Sequence, residues 1–62
     1  MITSLDQVVR ECDRLGVMET VYIMKHPKGG YHITDEENVE SWGSVLTLVA
    51  TWAPNTGLRL YA

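Results

Sequence analysis

The 62 residues make at most one domain, and a core of that size is marginal without a staple such as a disulfide, a metal or oligomerisation. One cysteine rules out an intrachain disulfide framework. Eight acidic against five basic residues, a formal charge of −3, argue against duplex nucleic acid as the partner, and no apolar run approaches the roughly 18 residues a membrane span needs.

The segment TSLDQVVRECDRLG predicts a helix. Ser4 and Gln7 have the spacing of a capping box. Leu5, Val8, Val9, Cys12 and Leu15 form one apolar stripe at helical period. Gly16 is placed to end the helix in a left-handed conformation, with Val17 folding back on the last turn. On the stripe Cys12 is a small buried hydrophobe with a quiet thiol.

ETVYIMKH and GYHIT predict a hairpin. HPKG suits a type I turn followed by a glycine bulge. Pairing His26 with Gly30 sets Ile23 opposite Ile33 and Lys25 opposite Tyr31. Tyr22, Met24, His26, His32 and Thr34 then share the other face, so the first strand carries apolar groups on both sides. One helix covers one of them, which leaves the other to a partner or ligand. TDEENVESW starts a short helix capped by Thr34 or Asp35, with Val39 and Trp42 inward. For residues 44–53 helix and strand both remain open; β-branched residues at period two favour a strand from Val45 to Ala53. PNTG is a turn, and LRLYA a last strand with Leu58 and Leu60 inward. The expected fold is α+β over residues 1–62: one N-terminal amphipathic helix on an antiparallel sheet of about four strands.

The basic stretch KHPKGGYH has two readings. Its glycine-bearing turn and its cations form a cradle for an anion, or it is a hairpin turn shaped for backbone geometry and solubility. The cradle reading assembles Lys25, His26, Lys28, Gly29, Gly30, His32 and Arg59 around a small anionic ligand such as a nucleotide. His26 and His32 lie diagonally on one face, and with no third ligand predictable no metal or cofactor is expected. The acids from Asp35 to Glu40 read as a solvated helix start. Phe is absent, so every aromatic carries a polar atom, which suits interfaces; Tyr22, Met24, Trp42, Trp52 and Tyr61 are the interface candidates, with one tryptophan expected in the core.

The helix TSLDQVVRECDRLG, the hairpin VYIMKHPKGGYHIT and the strand SVLTLVATW together resemble, in format, short proteins encoded by bacteriophages. Many of these inhibit host systems without catalysis, as anti-CRISPR proteins and proteins that sequester immune nucleotide signals do. The resemblance implies a counter-defence inhibitor that binds a host protein, with an oligomeric nucleotide sponge as the alternative. No catalytic constellation is present, so no enzyme is expected. Self-association remains as the staple, and a lone cysteine without a secretory signal points to the cytoplasm, that of the host cell for a phage protein.

Overall fold

A computed structural model describes residues 2–61. Helix α1 (Leu5–Leu15) is followed by strands β1 (Val21–Lys25) and β2 (Tyr31–Thr34), a short helix α2 (Val39–Gly43), and strands β3 (Thr47–Ala53) and β4 (Gly57–Leu60). All neighbouring strands are antiparallel, in the order β2-β1-β3-β4. The expected α+β class and strand number are therefore observed. Ala62, read as the end of the last strand, lies outside the described residues.

Local signals explain the ends of α1. The Ser4 hydroxyl accepts the Gln7 N–H at 3.3 Å, and Gln7 Oε1 accepts the Ser4 N–H at 3.2 Å, which closes the capping box. At the other end Gly16 has φ 65°. Its N–H reaches the Asp13 carbonyl and the Val17 N–H reaches Cys12, the paired bonds of a Schellman ending. Glu11 and Arg14 pair on the wet side, and the hydrogen bond from Arg14 holds the Glu11 carboxyl below its ordinary range.

The central strand β1 is covered on both faces. Ile23 lies in a core with Val8, Cys12, Ala50 and Trp52, and Leu5, Val9, Val17, Ile33 and Leu58 pack around it. Burial pushes the Cys12 thiol up, with Asp13 and Glu11 adding to the effect, so the thiolate is disfavoured. The stripe is shorter than its periodicity: Leu15 is 56% exposed, because the chain turns away at Gly16. On the opposite face Met24 is also fully buried, as is most of Leu46. Helix α2 packs against β1 there. This corrects the expectation that Met24 is left for a partner: five helical residues and the turn after them cover it within one chain.

The segment after α2 departs from the sequence reading. The Trp42 carbonyl accepts both the Val45 and Leu46 N–H groups, at 3.0 and 2.8 Å, so the backbone turns there and β3 starts at Thr47. Gly43 is the last residue of the helix. The cap is Asn38, held by Asp35, whose carboxylate accepts both its backbone and side-chain N–H groups; Thr34 is buried in β2 and caps nothing. A bulge falls between the Ile23–Ala50 and Met24–Leu48 pairs. Val49 is the extra residue and packs on the core, and Leu48 meets Met24.

Because Ile23 and Met24 fill opposite faces, truncating either leaves a cavity. Ile23→Ala and Met24→Ala are each expected to cost about 2–4 kcal/mol, a large share of the stability of so small a domain. Urea denaturation measures this. A Met24→Ala cost under about 0.5 kcal/mol is the result for a surface residue and contradicts the two-sided packing.

Candidate functional site

The hairpin turn forms as its residues require. The Gly29 N–H donates to the His26 carbonyl and the His26 N–H to the Gly30 carbonyl, both at 3.0 Å. Gly29 and Gly30 have φ of 99° and 88°, open to glycine and strained for other residues. The register is the one read from the sequence, with Ile23 opposite Ile33 and Lys25 opposite Tyr31.

That register divides the candidate anion cradle. Side chains alternate along a strand, so Lys25 and His26 leave β1 on opposite faces. Lys25 shares the α1 side with Tyr31, and His26 shares the α2 side with His32. Arg59 stands on β4, three strand spacings from β2 or roughly 14 Å across the sheet. Three N–H groups of the turn region are already engaged: Gly29 donates to His26, His26 to Gly30, and Tyr31 to the Ile2 carbonyl at 2.8 Å. Among the cradle side chains His26 and His32 come together, with ring centroids 6.4 Å apart and nearly perpendicular.

The α2 face instead gathers aromatic groups. His32 lies against Trp42 with centroids 4.2 Å apart and the rings tilted by 47°, so His26, His32 and Trp42 form a chain of ring contacts from the turn onto α2. Trp42 remains 37% exposed. Trp52, on the α1 side of β3, is 5% exposed; it fills the core and offers no interface area.

Beyond α2 the sheet is open. Tyr22 pairs with Thr51, and Thr51 with Arg59, so these three residues form one row across β1, β3 and β4. Tyr22 and Thr51 are half-buried and Arg59 is exposed. Tyr61, two residues after Arg59, keeps its side of the sheet and donates its N–H to the Val49 carbonyl at 3.0 Å; it is 55% exposed. Val45, after α2, is exposed as well. The sequence reading named Tyr22, Trp42, Tyr61 and Arg59, but assigned Arg59 to the cradle and passed over Thr51. The alternation of β3 is the signal for Thr51, once its register on Tyr22 is known.

No family model, curated protein sequence or solved structure matches the chain. Among the described residues no helix is long and apolar enough to cross a membrane.

Shape and charge of the turn are separable by mutation. A Cβ at Gly29 meets nothing within 4 Å, so Gly29→Val tests backbone conformation alone and is expected to cost about 1–3 kcal/mol. Lys28→Ala, on the exposed tip, is expected to change stability by less than about 0.5 kcal/mol. Thermal and urea denaturation of both variants check this; equal effects contradict a turn set by glycine geometry.

Proposed function

We propose that this protein is a small non-catalytic binding protein that acts by docking the open half of its second sheet face on another protein. The observation that carries the reading is the row Tyr22–Thr51–Arg59, with Tyr61 beside it and Trp42 on the same side of the sheet. Tyrosine, tryptophan and arginine are the residues in which interface energy concentrates. Tyrosine and tryptophan combine area with a polar handle; here Tyr22 stands on β1, and Trp42 is held on α2 against His32. A rigid platform loses little conformational entropy on association. The inhibitor class implied by the format of the chain fits this use, since blocking a host protein needs a surface and no cleft.

The rival reading, an anionic ligand on KHPKGGYH, has less support from the geometry. Its cations lie on two faces and at two ends of the sheet, and the turn's Gly29 N–H is spent on His26.

The two readings part in one experiment. The wild-type protein, a Trp42→Ala/Tyr61→Ala variant and a Lys25→Ala/Lys28→Ala variant are used as baits against host extract, and the captured protein is then titrated with each. Circular dichroism confirms that each variant folds. The docking reading expects one defined partner, at least 10-fold weaker binding by the aromatic variant and under 3-fold change in the lysine variant. In parallel, wild type is titrated calorimetrically with cyclic and linear nucleotides. Nucleotide binding that the lysine replacements abolish overturns the docking reading.

A further inference from the structure

The two edges of the sheet are not alike. At β2 the outward Tyr31 N–H is taken by the Ile2 carbonyl, so the N-terminal segment partly caps that edge. At β4 the Tyr61 N–H points inward to Val49. Backbone direction alternates along an antiparallel strand, so Arg59 and Gly57 also bond inward and Leu58 and Leu60 turn their N–H and C=O groups outward. Among the described residues no backbone bond to these groups from another segment is found. Such an edge is a template for one more strand. β4 is short and carries one charge, Arg59, but it has no proline and no lysine, and its ladder with β3 runs without a register shift. Leu60 continues the apolar α1 side, opposite Ala50, yet is 63% exposed.

We infer that β4 pairs antiparallel with β4 of a second copy of this chain about a two-fold axis through Leu60, joining two four-stranded sheets into one of eight strands. The self-complementarity of the edge argues for a second copy. Outward groups must meet outward groups, so the two-fold axis passes through Leu58, Arg59 or Leu60. Centring on Arg59 sets two arginines directly opposite, and like charges there are destabilising. Centring on Leu58 joins side chains that are already half-buried in each core and leaves Leu60 opposite Thr56, in the turn. Centring on Leu60 stacks Leu60 on Leu60 of the second copy along the α1 side. On the other side it places each Arg59 across from Tyr61 of the second copy, cation against ring face. That register covers the two exposed large groups at this edge and offsets the charge of both arginines. The inference does not depend on the proposed function, although it would run the two open faces together into one surface.

Single cysteines read the register, since Cys12 is buried and does not compete. In the Leu60-centred pair the two Leu60 Cα atoms are about 5.5 Å apart, within disulfide reach, and the two Arg59 Cα atoms are roughly 8 Å apart, beyond it. Under mild oxidation Leu60→Cys is expected to give a disulfide dimer in high yield, and Arg59→Cys at least 10-fold less. Sedimentation equilibrium of wild type at high micromolar concentration should give twice the 7.0 kDa chain mass. Leu60→Lys, at an exposed position, should give the single-chain mass with an unchanged circular dichroism spectrum. A wild-type monomer at that concentration, or cross-linking of Arg59→Cys as readily as Leu60→Cys, overturns the proposal.

Discussion

The structure depends on one strand being dry on both faces. Ile23 and Met24 are sequence neighbours, point to opposite sides of β1, and are each fully buried. A sheet of four strands exposes two faces, and a chain of this length has one long helix with which to cover them. α1 is committed to the Ile23 side, where Val8 and Cys12 complete the core. The Met24 side is left to α2, which has five residues. Coverage there stops part-way across the sheet, and the aromatic row lies uncovered as a result. The surface proposed for docking is thus a consequence of how the apolar residues are divided between two unequal helices.

The same division accounts for the edge. α1 packs over the middle of the sheet, and Leu58 still reaches that core whereas Leu60 does not. A larger protein would place a further helix or strand over β4. Here the N-terminal segment goes to β2 through Ile2, and β4 keeps its outward groups.

Much of this was legible in the sequence because it was encoded locally. The capping box at Ser4, the left-handed Gly16 and the HPKGG turn each need only a few adjacent residues, and the turn in turn sets the register of β1 on β2. The parts that were not legible depend on distant residues. Whether Met24 is covered depends on where a short helix lands, which no periodicity within five residues can report. The start of β3 moved from Val45 to Thr47 because one carbonyl, that of Trp42, captures two successive N–H groups. Leu60 was read as inward from alternation, which assigns a face correctly but says nothing about whether that face is covered at the sheet edge. The division of the cradle has a different origin. Lys25 and His26 are adjacent on a strand, and period two alone places them on opposite faces.

Amide hydrogen exchange followed by nuclear magnetic resonance, on wild type and on variants that truncate each face, tests the central claim most directly, because it reads the stability of both ladders of β1 and of the sheet edge residue by residue. Exchange of Ile23 and Met24, whose amides lie between β3 and β2 on either side of β1, should require global unfolding and share the highest free energy in the molecule. Arg59, bonded inward, should exchange more slowly than Leu60, whose amide is turned to the edge, in dilute protein. Met24→Ala should lower the exchange free energy of the Ile23 amide about as much as Ile23→Ala lowers that of Met24; if it leaves the Ile23 amide unchanged, the second face is not packed by α2, and the account of one strand held dry from both sides is wrong.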